Sequence, residues 1–170
     1  MIIMKKIFLF IAILAIATTK ISFAQSKADG AFNQVLTAYF DLKNALASDK
    51  KDLATAKAKA LVVKIDAVPH KDLPADQHKF WMEQSTLIKA KAKELANAKD
   101  IKIQRKAFEG ISYPMIKTLR TIKFNTSTVY VQHCPMAKAS WLNEKENIEN
   151  PYYGSMMFEC GDVAETIKAK

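Results

Sequence analysis

The chain has 170 residues, 49% apolar and 25% charged, with 26 Lys+Arg against 17 Asp+Glu and two cysteines. That composition is globular rather than disordered, and the length suits one ordinary domain with a sizeable core and leaves no room for a second. The net charge of +9 rests on lysines that alternate with alanine, as in Lys57-Ala58-Lys59 and Lys89-Ala90-Lys91-Ala92-Lys93. Such lysines spread over the solvated side of a helix instead of forming a stripe with stacking aromatics, so no nucleic-acid partner is expected.

Lys5 and Lys6 precede an apolar run from Ile7 to Ala17, and Ser22-Phe23-Ala24 supplies the small residues a signal peptidase reads. The pattern predicts a signal peptide over 1–24, cut after Ala24, and a single exported helical domain over 25–170. The apolar run is shorter than the roughly 20 residues of a membrane-spanning helix, and Lys20 interrupts any extension of it. A periplasmic or otherwise exported protein is therefore expected, with no transmembrane segment in the mature form.

Four helices follow in the hydrophobic spacing. Phe32, Val35, Leu36, Tyr39, Leu42 and Leu46 recur at three- and four-residue steps and predict a first helix from about Ala31 to Ala47. Ser48 and Asp49 suit an N-cap for a second helix, whose stripe reads Leu53, Ala56, Ala60, Val63 and Ala67 and stops at Pro69. After a loop from His70 to Pro74, a third helix opens at Ala75 or Asp76 and places Trp81, Ile88, Ala92 and Leu95 on one face. The fourth stripe is Phe108, Ile111, Met115, Leu119 and Ile122, with a kink expected at Pro114, because proline leaves the Gly110 carbonyl without its donor. Short connections favour antiparallel neighbours, so the expected fold is mainly α: an antiparallel four-helix bundle with a turn-rich C-terminal segment, about 127–163, packed on it. Thr128-Val129-Tyr130-Val131 predicts a short extended stretch leading into that segment.

The chemistry is concentrated in this last segment. His133-Cys134-Pro135-Met136 and Met156-Met157-Phe158-Glu159-Cys160 hold both cysteines, each within four residues of a methionine. Thiolate and thioether select soft ions such as Cu(I), and thioether is a poor zinc ligand. In an extended segment Cys134 and Met136 share a face, and one helical turn brings Met156 or Met157 beside Cys160. The favoured ligand set is Cys134, Met136, Met157 and Cys160, with His133 and Met156 as alternates. Met82 and Met115 fall in helical stripes and are expected in the core. His70 and His78 are expected to be exposed or capping residues.

His133-Cys134-Pro135-Met136-Ala137, Ser140-Trp141-Leu142, Ile148-Glu149-Asn150-Pro151-Tyr152-Tyr153-Gly154, Met156-Met157 and Cys160-Gly161-Asp162-Val163 resemble the signature of a bacterial domain of unknown function, number 3347. The family also occurs attached to periplasmic adaptor subunits of heavy-metal efflux pumps. The resemblance implies a metal-handling context with copper as the ion and an efflux-pump adaptor or other periplasmic trafficking protein as partner. It implies no named reaction.

The rival reading is a non-enzymatic structural or interaction module. Two cysteines in an exported chain suit a Cys134 to Cys160 disulfide. That bond would staple the tail by about 3 kcal/mol and present Asn150-Pro151-Tyr152-Tyr153 to a partner. Thioethers at both ends favour the metal reading, since a staple has no use for them. There is no nucleotide-binding glycine loop, Cys-x-x-Cys motif or nucleophile elbow, so no enzyme is expected.

Overall fold

The computed structural model describes residues 27–170; the expected signal peptide lies outside the described residues. Four helices occupy most of the described chain: α1 over 27–47, α2 Lys51–Asp66, α3 Ala75–Ala96 and α4 Ile101–Ile122. A short 3-10 turn, His70–Asp72, bridges α2 and α3. The C-terminal part forms a sheet where a turn-rich segment was expected. Its strands are β1 Val129–Cys134, β2 Ala139–Asn143 and β3 Asp162–Ile167, in the order β2-β1-β3, and both pairings are antiparallel. Among the described residues no helix is long and apolar enough to cross a membrane.

Three of the four apolar stripes lie in the core as spaced. Phe32, Tyr39, Leu42 and Leu46 of α1, Trp81, Ile88, Ala92 and Leu95 of α3, and Phe108, Ile111, Met115 and Leu119 of α4 are all buried. Phe32 meets Trp81 edge-on at 4.9 Å and stacks on Phe124 at 5.0 Å, while Tyr39 stacks on Phe108 at 5.4 Å. The α2 stripe is in a different phase. Ala54, Ala58, Leu61 and Ile65 are buried, whereas Leu53 and Val63 face solvent. Alanines on every side of this helix leave its spacing compatible with either phase, and the larger inward side chains, Leu61 and Ile65, decide it. Met82, expected in the core, is exposed; Met115 is buried.

The helix ends follow local chemistry. Asp100 caps α4 by accepting from the Ile103 amide at 2.9 Å, and Lys123 closes it in a left-handed conformation, its amide reaching the Leu119 carbonyl. α4 continues through Pro114 to Ile122. Asp49 does not cap α2. Its φ is +58°, Lys50 occupies the N-cap position, and the Asp49 carboxylate is committed to Arg105 and to the Ser155 amide.

The sheet packs on α4 through β2, and its buried residues Val129, Val131, Trp141 and Leu142 belong to the same cluster as the helices. Each such fully buried large side chain contributes about 1.5–3 kcal/mol. A polar joint crosses the same boundary, where the Tyr39 hydroxyl accepts from the Leu142 amide at 3.1 Å, and the Asn33 side chain of α1 donates at 2.6 Å to the carbonyl of Phe124, just after α4.

Candidate functional site: a paired thiol beside exposed thioethers

The β1 to β3 pairing explains how two cysteines 26 positions apart meet. His133 is registered with Asp162, so the end of β1 at Cys134 lies beside the residues that lead into β3. Cys134 Sγ and Cys160 Sγ are 3.1 Å apart, and both thiols are free. Gly161 permits this approach. Its φ is +142°, and a Cβ there would sit 2.7 Å from the His133 carbonyl oxygen and 3.1 Å from the Trp141 ring.

Asn150, fully buried, shapes the loop that carries Cys160. Its side-chain amide donates to the Cys160 carbonyl at 2.9 Å, its side-chain oxygen accepts from the Tyr152 amide at 2.8 Å, and its backbone amide donates to the Phe158 carbonyl at 2.8 Å. The Cys160 amide in turn donates to the Met157 carbonyl at 3.1 Å, which folds Met157 and Cys160 into one turn.

The two sulfurs are electrostatically unequal. Burial acts to raise the Cys134 thiol, but the hydrogen bond from Cys160 and further bonds from the Ala137 amide, Asn150 and the Met136 backbone outweigh it and hold Cys134 below its ordinary value. Donating to Cys134, with burial and the nearby Cys134 charge adding to the effect, raises Cys160. Of the pair, Cys134 gives up its proton more readily than Cys160. A thiolate is both the metal ligand and the nucleophile of cysteine chemistry.

Three of the four favoured ligands outline one open notch, in which Met136, Met157 and Cys160 are joined by Phe158 and Glu159. Cys134 is buried and does not line the notch; it is joined to it through the 3.1 Å sulfur contact with Cys160. Met136 is 61% exposed and Met157 38%, so both thioethers are within reach of an incoming ion. The two alternates lie elsewhere. His133 shows its ring to Ser140 Oγ at 3.0 Å across the β1 to β2 pair, and Met156 faces a separate cleft with Tyr152, Tyr153 and Arg105. Among the described residues no three His, Cys, Asp or Glu side chains gather into a metal-holding group, so any ion in the notch would depend on the methionines. Trp141, Tyr152 and Tyr153 do not line the notch; Trp141 is fully buried, edge-on to Tyr152 at 5.9 Å. Asn150 and Pro151 are buried too, which removes them from any presented surface.

A family model with the description protein of unknown function (DUF3347) matches residues 35–127. The chain belongs to this family. The matched span runs from α1 through α4 and stops just before β1, so the Cys/Met segment lies outside it. No curated protein and no solved structure matches the chain.

Several residues that hold the site in place were not singled out from the sequence. Lys43, fully buried, donates to Asn143 Oδ1 at 2.6 Å and Glu149 Oε2 at 2.9 Å, and lies 3.3 Å from Glu144 Oε2. Its signal was available: Lys43 falls between Leu42 and Leu46 on the apolar side of α1. Arg105 donates to the Pro151 and Leu46 carbonyls and to Asp49, and it too sits in phase with Phe108 of its helix. A charged residue inside an apolar stripe marks a buried partner of opposite charge.

Proposed function

We propose that this protein is a non-enzymatic, exported binder of a soft metal ion, Cu(I), held by Cys134, Cys160, Met136 and Met157. It sequesters the ion or hands it to an efflux-pump adaptor or another periplasmic trafficking protein. The observation that carries the reading is the 3.1 Å contact of Cys134 with Cys160, which lines a notch together with Met136 and Met157. Two thiolates and two thioethers form a soft donor set, and the mixed sulfur chemistry disfavours Zn(II). An N-terminal pattern of lysines, apolar run and Ser22-Phe23-Ala24 supports export. The body that carries the site is read as an antiparallel bundle. Lys57 reaches back to Asp41 and Lys64 to Gln34, so successive positions of α2 meet earlier and earlier positions of α1.

Binding requires a small opening of the thiol pair. Two sulfurs each about 2.3 Å from one ion at a tetrahedral angle stand about 3.8 Å apart. The Cys160 side chain, half-buried, has more room to turn than that of Cys134, which is buried at the end of the central strand. A thioether arriving from Met136 or Met157 would complete the coordination from the solvent side.

Competition between the reduced protein and a Cu(I) chelator tests this reading. The wild type should take up about one Cu(I) in preference to Zn(II). Cys134→Ser and Cys160→Ser should each lose most of that affinity, and Met136→Leu or Met157→Leu should lose less. No competition by the reduced wild type would overturn the copper reading. The same sulfur contact favours a second reading, a Cys134 to Cys160 disulfide in a structural or interaction module, and a thiol count after purification under oxidising and reducing conditions separates the two.

A further inference from the structure

Outside the sulfur site, His70 and His78 form a second cluster of ligating side chains that the proposed function does not use. His70 opens the 3-10 turn His70–Asp72, between Pro69 and Pro74, and His78 lies in the first turn of α3. The His78 amide donates to the Pro74 carbonyl at 2.8 Å, which fixes the start of that helix relative to the turn. The two rings face each other with centroids 5.3 Å apart and planes inclined by 30°, and His70 Nδ1 lies 3.1 Å from His78 Nε2. Both residues are half-buried and open to solvent on one side.

We propose that this pair is a binding site for a divalent ion of borderline softness, Cu(II) foremost, taken between His70 Nδ1 and His78 Nε2. The metal-free contact needs one proton between two facing nitrogens, one ring donating and the other accepting. An ion that replaces the proton meets two lone pairs already directed at one another, and the outer nitrogens, His70 Nε2 and His78 Nδ1, then carry the protons. The spacing fits. With metal to nitrogen distances of about 2.0–2.1 Å, nitrogens as far apart as these subtend about 100° at the ion, between the square-planar and tetrahedral angles. To seat it, each ring must turn so that its lone pair swings about 40° off the nitrogen to nitrogen line toward the ion.

Imidazole suits Cu, Zn and Ni, and the divalent series places Cu(II) highest in affinity. Asp72 and Asp76 are exposed and do not join the pair into a three-ligand group. The site therefore offers two protein ligands and leaves its other positions to water or a small exchangeable ligand, unlike a closed structural site. Its nitrogen donors also set it apart from the sulfur notch, so one chain would hold a borderline site and a soft site side by side in chemistry.

The test uses aqueous Cu(II) with the full chain carrying Cys134→Ser and Cys160→Ser, so that thiols neither bind nor reduce the ion. Electron paramagnetic resonance should show coupling to two imidazole nitrogens, falling to one or none in His70→Ala and His78→Ala. Loss of an outer partner alone costs about 10–100-fold in metal affinity, so loss of either ligand should weaken binding by at least about tenfold. His133, bonded to Ser140, remains in every variant and serves as the internal control. If the serine background fails to fold, the same His variants are compared with wild type by Zn(II) competition, where the sulfur site is common to both and cancels. Binding within about twofold of the parent in both His variants, or a spectrum without histidine nitrogen, would overturn the proposal.

Discussion

At the scale of single residues, Gly154 shows how closely the tail is fitted to the helices. Its φ is +58°, and a Cβ there would collide with the Arg105 guanidinium and the Asp49 carboxylate, the ion pair that passes over it. Neither obstacle is a freely moving chain end. Arg105 is also bonded to the Pro151 and Leu46 carbonyls, and Asp49 also accepts from the Ser155 amide. Gly154→Ala therefore combines a left-handed backbone strain of about 1–3 kcal/mol with displacement of that pair. Urea denaturation should show a loss of at least about 1 kcal/mol, and an unchanged midpoint would mean that the loop relaxes away from Arg105. Gly161 has a different role, because its missing Cβ makes room for the His133 carbonyl and keeps Cys160 beside Cys134.

At the scale of elements, α1 and the loop after β2 are joined through Lys43. The ammonium is fully buried and bonded to Asn143 and Glu149, so removing it leaves polar partners behind. Breaking a buried pair by removing one partner costs about 3–5 kcal/mol. Here the lower end applies, because Glu149 keeps Lys145 at 2.7 Å. Lys43→Met should cost about 3 kcal/mol, and adding Glu149→Gln should recover part of it; strict additivity in that double-mutant cycle would argue against the pairing. The helices and their inward faces were legible because α1, α3 and α4 carry large apolar residues at steps that fit only one phase. The face of α2 was not, since alanine surrounds it. β1 was legible from its β-branched run, whereas β2 and β3 were not. Ala139-Ser140-Trp141-Leu142-Asn143 and Asp162-Val163-Ala164-Glu165-Thr166-Ile167 gain their strand character from pairing with β1, which is a long-range contact. The residue types of Cys134, Cys160, Met136 and Met157 marked this segment in the sequence, but their arrangement did not follow from the expected spacing, because β1 ends at Cys134 and Met136 lies in the turn before β2, and the places of His133 and Met156 depend on the strand register and the 3-10 turn.

At the scale of the whole molecule, helices and sheet share one core, and the polar joints around its edge set how the assembly responds to acid. Hydrogen bonds from Ser155 and then Arg105 hold the Asp49 carboxyl at about 2, below its ordinary value. Burial works against Glu149, yet the bonds from Lys145 and Lys43 prevail and keep it below its ordinary value as well. A carboxylate whose folded value is depressed binds protons more readily when unfolded. Its stabilisation is therefore complete above the unfolded value and is lost as pH falls through the folded one. For Asp49 the loss should run from about pH 4 down to about pH 2. Both groups join the helical body to the C-terminal part, Asp49 through Ser155 and Glu149 through Lys43, so acid should loosen that seam before it melts the helices. Hydrogen exchange should then show amides of β2 and the Asn150 loop losing protection at a pH where α3 and α4 remain protected. Asp49→Asn should flatten part of the stability loss across the same interval. If its stability fell with pH as steeply as that of wild type, the Asp49 joint would not be a source of the acid sensitivity, and the seam would depend on the shared apolar core and the Lys43 cluster alone.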